Sequence, residues 1–264
     1  ARPAAAMIKA YEPWLIGFDP LATEQIWQSL YASYRDQGQK GVPICAISGI
    51  DIALWDIKGK HFSAPIHQLM GGPLRTEVKA YATGTYRKRD GNPMDYIAEE
   101  VARYKDDGFS AVKLKIGFEV DEDLALIAKV REVIGPEMGL MLDANHGYDS
   151  VDAIRLAIAA EAFDIRWFEE PVSPEDLDGY LAVKSATSIP MAGGETEYTR
   201  FGFREILRRG AMDYLQPDTC AAGGLSECKK IADMANAFGV RYVPHVWGTG
   251  IGLSAALNLL AVLP

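Results

Sequence analysis

A chain of 264 residues is long enough for a barrel of ordinary size or for two smaller domains, and its 48% hydrophobic and 24% charged residues are those of a globular protein with a substantial core. A net charge of −9 argues against a nucleic-acid-binding or anionic-membrane surface. The late apolar stretch from Ile251 to Leu263 is interrupted by Ser254 and Asn258 and is too short to span a bilayer, and the first residues do not read as a signal peptide.

Three cysteines, Cys45, Cys220 and Cys228, are odd in number and lack metal-ligand spacing, which fits a reduced, cytoplasmic setting. The first residue is not methionine and Pro264 directly follows a helix-like segment, so both ends are expected to be missing pieces of a longer polypeptide.

In chain order, Asp19-Pro20 reads as the start of the first clear helix, with aspartate as cap, proline in the first turn and Ile26, Leu30 and Tyr34 on the apolar face. Gly38 and Gly41-Val42-Pro43 break it. A second helix carries Ile47, Ile50, Leu54 and Ile57 on one stripe, with Asp51, Asp56 and Lys58 read as cap or ion-pair groups. From Glu77 the rhythm changes: Val78 to Gly84 reads as a first strand, Asp95 to Tyr104 as its helix, and the triplet Arg87-Lys88-Arg89 between them as a solvated loop. The run Ala111-Val112-Lys113-Leu114-Lys115-Ile116-Gly117 is too short for a helix, and as a strand it places both lysines on one face. A helix ended by Gly135-Pro136 follows. The alternation then continues through helices near Val151 to Ala162, Pro174 to Ala186, Arg200 to Arg209 and Gly224 to Phe238.

Six apolar runs end on Lys115, Asp143, Glu169, Glu195, Asp218 and His245, residues 23 to 28 positions apart. A strand, a loop and a helix fill such a unit, which is the mark of a parallel sheet with crossover helices. The expected fold is α/β, a TIM-like (β/α)7β barrel whose eighth strand is not in this chain, preceded by a separate helical region. Residues 1–75 form that mainly helical region and residues 76–264 the barrel, strands 1 to 7. The carboxyl ends of barrel strands form the catalytic face, so these polar residues are expected to converge there.

Asp143, Glu169 and Glu195 are hard oxygen ligands suited to Mg²⁺. Glu170 could compete with Glu169, but strand alternation sends the two to opposite faces, and Glu169 holds the strand tip before Pro171. Lys115 beside a cation is a candidate general base, with Lys113 one pleat earlier to hold substrate charge. Asp218 can fix the tautomer of His245 and make the pair a second base. Two bases across a divalent metal suit removal of a proton next to a carboxylate. Gly248-Thr249-Gly250-Ile251-Gly252 lacks an acidic ribose partner and does not read as a nucleotide loop. Gly223-Gly224 reads as a tight turn whose amides can help to hold an anion.

Val112-Lys113-Leu114-Lys115, Asp143-Ala144-Asn145, Trp167-Phe168-Glu169-Glu170-Pro171, Gly193-Gly194-Glu195, Gln216-Pro217-Asp218 and Pro244-His245 resemble, in order and spacing, the mandelate racemase branch of the enolase superfamily. Ser48 to Asp56 resembles that family's helical capping domain. The resemblance implies Mg²⁺ on Asp143, Glu169 and Glu195, and Lys115 and the His245/Asp218 dyad as bases. Lys113, Asn145 and Trp247 are then substrate contacts. Asn145-His146-Gly147-Tyr148 and His245 to Gly250 look like D-galactarolactone cycloisomerases and acid-sugar dehydratases. The implied reaction is removal of the proton α to the carboxylate of an acid sugar or its lactone, followed by β-elimination. Dehydration of an acid sugar, racemisation of a 2-hydroxy acid and a non-catalytic scaffold are the alternatives. An even-numbered homo-oligomer is implied as well.

Overall fold

The computed structural model describes residues 2–264 and is an α/β structure. Seven strands form one sheet in sequence order: β1 (Ala82–Thr83), β2 (Ala111–Lys115), β3 (Gly139–Asp143), β4 (Ile165–Glu169), β5 (Met191–Gly193), β6 (Tyr214–Leu215) and β7 (Arg241–Tyr242). The pairings from β1 to β5 are parallel. Crossover helices follow the strands: α5 (Pro93–Asp106), α6 (Val120–Ile134), α7 (Ser150–Ala160), α8 (Leu177–Ala186), α9 (Thr199–Arg209), α10 (Gly224–Ala237) and α11 (Gly250–Ala261). Ahead of the sheet lie α1 (Arg2–Tyr11), α2 (Thr23–Ser33), α3 (Val42–Phe62) and the short α4 (Ile66–Leu69). No helix among the described residues is long and apolar enough to cross a membrane.

Local chemistry accounts for several boundaries. Asn92, Asp149 and Asp176 accept bonds from first-turn amides and so cap α5, α7 and α8. The last of these caps moves the start of α8 from the expected Pro174 to Leu177. Asp19 caps no helix: its side chain accepts from Leu21 N at 2.9 Å, closing a local turn, and α2 begins at Thr23. Helix α1 was not expected, although alanines at positions 4 to 6 favour it. The first strand is two residues long because its ladder begins only where β2 supplies a partner, Ala82 opposite Val112 and Thr83 opposite Lys113. Strands β5, β6 and β7 end two or three residues before Glu195, Asp218 and His245, so those side chains stand on the following loops instead of the strand tips.

The chain divides into two compact units. One unit, residues 79–193 and 209–214, contains β1 to β5. Its strand β3 is buried along its whole length and β2 everywhere but at Lys115, as a sheet covered on both faces requires. Lys115, Asp143 and Glu169 share one register across three adjacent strands.

The other unit, residues 1–78, 194–208 and 215–264, has a core of Tyr11, Ile26, Trp27, Leu30, Ile44, Ile47 and Leu54 from α1, α2 and α3. Trp27 donates to the Gly223 carbonyl at 2.8 Å, which satisfies its buried indole N–H. Asp51, 2% exposed, reaches the start of α10. It accepts from Ser226 N at 2.9 Å and from Ser226 Oγ at 2.6 Å, a negative charge at the positive end of a helix dipole. Gly224 has φ +82 and lies so close to Asp51 that a Cβ would stand 2.4 Å from the carboxylate.

Burial raises the Asp51 pKa from 3.8 to about 6, against the bonds from Ser226 and Leu225 and the charge of Lys230. Below pH 3.8 the carboxyl is protonated whether folded or not, so it adds no pH dependence there. Between that pH and about 6 the unfolded chain gives up the proton while the folded chain keeps it, so stability falls as pH rises. Above about 6 the full cost, on the order of 3 kcal/mol, is present. Urea unfolding of wild type and Asp51→Asn from pH 3.5 to 7 checks this: the difference between the two curves should change across that window, and parallel curves would refute it.

Candidate active site

Alternation along β2 sends Lys113 and Lys115 to the same face, and the register brings Asp143 beside Lys115 and Glu169 beside Asp143. The side chains of Asp143 and Glu169 are 0% and 1% exposed, and that of Lys113 is 6% exposed. Lys113 Nζ lies 2.9 Å from Asp143 Oδ2 and also pairs with Glu169 Oε1. Lys115 Nζ reaches Asp143 Oδ2 and Asn145 Oδ1, each at 2.6 Å. Asn145 in turn donates its backbone N–H to Asp143 Oδ1 at 3.0 Å. Thus Lys113, Lys115, Asp143, Asn145 and Glu169 form one cluster in this unit.

The cluster's electrostatics follow from its dryness. Burial opposes the charge on Lys113, but Glu169 and Asp143 outweigh it and hold the ammonium's pKa above the usual lysine value. Burial likewise opposes ionisation of Asp143, and the charges of Lys113 and Lys115 overcome it, so its pKa is lowered. Two buried carboxylates therefore converge on the Lys113 nitrogen. That donor chemistry, hard oxygens at a point where positive charge is favoured, fits a divalent cation such as Mg²⁺. Among the described residues no three His, Cys, Asp or Glu side chains are gathered into one metal-binding group; here the lysines hold the carboxylates instead.

Several supporting residues were not expected. Thr85, fully buried at φ +56, accepts from Lys115 N at 2.9 Å through Oγ1, and its own N–H donates to Glu100 Oε1 at 3.0 Å. Trp167 donates to Glu169 Oε2 at 3.0 Å and packs edge-on against Tyr81. The two-residue period of β4 already places Trp167 on the face of Glu169, a signal legible in the sequence. Glu170 turns away at φ +46, and Glu170 Oε2 lies 3.0 Å from His146 Nε2, while His146 Nδ1 lies 3.0 Å from the Val172 carbonyl.

In the other unit His245 Nδ1 lies 2.8 Å from Asp218 Oδ2, and His245 Nε2 lies 3.2 Å from Glu195 Oε2. Asp218 Oδ1 accepts from Cys220 N at 2.6 Å, which fixes the carboxylate's orientation. With Asp218 at Nδ1, the imidazole turns Nε2 toward Glu195. Trp247 is 67% exposed.

A parallel α/β sheet with paired lysines and carboxylates at its strand ends, and a separate His–Asp dyad, define an enolase-type enzyme. The family model for the enolase C-terminal domain-like fold matches residues 96–264, and that for the mandelate racemase/muconate lactonizing enzyme N-terminal domain matches residues 2–71. The chain belongs to the mandelate racemase/muconate lactonizing enzyme family of the enolase superfamily, whose members use Mg²⁺. It is 54% identical over 263 residues to a D-galactarolactone cycloisomerase of Agrobacterium fabrum, covering 100% of this chain and 70% of that protein. It is 37% identical to an arabinonate dehydratase of Saccharolobus solfataricus, covering 97% of this chain and 68% of that one. The crystal structure of a 3,6-anhydro-D-galactonate cycloisomerase from Zobellia galactanivorans superposes with a TM-score of 0.95 at 46% identity, over 100% of this chain and 73% of its own.

Removing Lys113 leaves two buried carboxylates sharing fewer counter-charges. Lys113→Met should therefore lower stability by roughly 3–5 kcal/mol without divalent metal. Saturating Mg²⁺, at about a hundred times its dissociation constant, should return about 2.7 kcal/mol. Denaturant unfolding of the variant with and without Mg²⁺ measures both, and a variant that Mg²⁺ does not stabilise would remove the metal assignment.

Proposed function

We propose that this enzyme removes the proton α to the carboxylate of an acid sugar or its lactone and then completes a β-elimination that opens the lactone ring, as a lactone cycloisomerase. The paired lysines and carboxylates at one register of β2, β3 and β4 carry this reading, supported by the likeness to a D-galactarolactone cycloisomerase.

In this reading Asp143, Glu169 and Glu195 would hold the Mg²⁺. When bound, the cation supplies the positive charge that stabilises an enediolate. Lys115 and His245 are the two bases, and the configuration at the α-carbon decides which of them takes the proton. The C–H electron pair becomes the double bond of the enediolate. As that charge returns, the ring oxygen leaves the β-carbon with the C–O electron pair and receives a proton from the base on the opposite face. Asp218 holds the His245 ring by its Nδ1. Lys113, Asn145 and Trp247 contact the substrate. The sheet is the wall of a TIM-like barrel, with residues 1–75 as a partial capping domain and 76–264 as the barrel domain. A cytoplasmic, even-numbered homo-oligomer without nucleic-acid or membrane partners completes the reading, in keeping with the family likeness and the net charge of −9.

The second reading is dehydration of an acid sugar, favoured by the likeness to an arabinonate dehydratase. It shares the first half of the reaction and differs in the leaving group, which is then hydroxide leaving as water.

Incubation with Mg²⁺ and a panel of acid sugars and lactones in D₂O, followed by proton NMR, tests the proposal. Loss of the α-proton with a ring-opened keto product is expected from a lactone, and the same loss with release of water from an open-chain acid would select the dehydratase. Lys115→Ala and His245→Asn should each lower turnover by about 10²–10⁴-fold, and only one of them should also abolish α-proton exchange. Exchange with no elimination from any member would replace both readings with racemisation.

A further inference from the structure

Asp123 stands in the first turn of α6 with its carboxylate fully buried, and none of the chemistry above uses it. Four groups meet that carboxylate. Gly117 N and Phe118 N, on the loop after β2, donate to Oδ2 at 3.1 and 2.8 Å. Tyr148, on the loop after β3, donates its hydroxyl to the same oxygen at 2.6 Å and accepts from Gly117 N at 3.1 Å. Arg87, on the loop after β1, donates to Oδ1 at 2.9 Å and lies over the Phe118 ring, 3.9 Å from its centroid. Arg87 is thus a half-buried anchor, which corrects its reading as part of a solvated loop.

Two of those loops, after β2 and β3, begin at groups proposed for the reaction. One residue separates Lys115 from Gly117, and two separate Asn145 from Tyr148. The loop after β3 also carries two consecutive residues in the left-handed region, Asn145 at φ +42 and His146 at φ +63. Such a conformation persists only where its surroundings impose it. The loops are also pressed together: a Cβ on Gly147 would stand 2.3 Å from the Gly117 carbonyl oxygen. A single rigid carboxylate therefore ties the lengths of chain that aim Lys115 and Asn145.

Resting on the functional reading above, we propose that Asp123, with Tyr148 and Arg87, is a positioning centre for catalysis that locks the loops after β1, β2 and β3 so that Lys115 and Asn145 are held in their reactive orientation. Misaiming a proton-transfer group lowers the rate steeply while leaving much of the binding surface intact. The centre should therefore act on turnover more than on affinity.

The test is Tyr148→Phe in the full chain loaded with Mg²⁺, which deletes one hydroxyl and keeps the ring. Its kcat should fall about tenfold with KM within about twofold of wild type. Hydrogen exchange should accelerate in segments 115–118 and 144–148. Ile127→Val, a core truncation on the same helix away from the loops, should lower Tm with kcat within about twofold, which separates positioning from general loss of stability. Asp123→Asn, which keeps an acceptor for the two amides, should retain more kcat than Asp123→Ala. A Tyr148→Phe enzyme with wild-type kcat would overturn the proposal. If wild type turns over no acid sugar at all, the functional reading fails by itself and exchange decides: acceleration confined to those segments upholds the locked loops, and unchanged exchange overturns them.

Discussion

The structure of the strand ends depends on one ammonium group. Lys113 Nζ is shared by two buried carboxylates, and with Lys115 it holds the Asp143 carboxyl below its usual pKa where dryness would otherwise raise it. At an effective dielectric near 20, each such contact is worth about 5–6 kcal/mol of attraction, set against a desolvation penalty of several kcal/mol per ion. The balance is therefore held by geometry: parallel register puts both acids in reach, and the two-residue period puts Lys115 on the same face to share Asp143. In formal charge, Lys113, Lys115, Asp143 and Glu169 sum to zero.

What could be read in the sequence was whatever repeats. The 23-to-28-residue interval gave strands, helices and strand-end residues because each unit buries apolar faces with its own period. Lys113, Lys115, Asp143 and Glu169 fall on strands observed where the pattern put them. Legibility drops where order is tertiary. Asp123 looks like an ordinary first-turn acid of a helix and Arg87 like a solvated charge, since nothing local announces that two loops deliver their amides and a tyrosine to the same carboxylate. Asp51 was read as a cap or ion-pair group on α3. It does cap, but the helix is α10, whose start lies more than 170 residues downstream.

The same contrast governs the backbone. Thr85, Asn145, His146 and Glu170 all have positive φ, and they stand one to three positions past the ends of β1, β3 and β4. Each non-glycine residue held there costs on the order of 1–3 kcal/mol. Pleat alternation predicted that Glu169 and Glu170 face opposite ways, which holds, but the left-handed turn at Glu170 does more than alternate. It lets the Glu170 carbonyl accept from His146 N at 2.8 Å while Glu170 N donates to the Ala192 carbonyl at 3.1 Å, so the chain joins its neighbours on both sides as it leaves the sheet. Thr85 does the same with its side chain, taking the Lys115 amide that the two-residue β1 leaves without a strand partner. Strain and hydrogen bonding are thus two sides of one requirement: a strand that must stop at a chosen residue, and hand its last amides to a neighbouring loop, cannot continue in the conformation that its own sequence prefers. The carboxyl ends are where local propensity is overruled most often, and they are also where the charged groups stand.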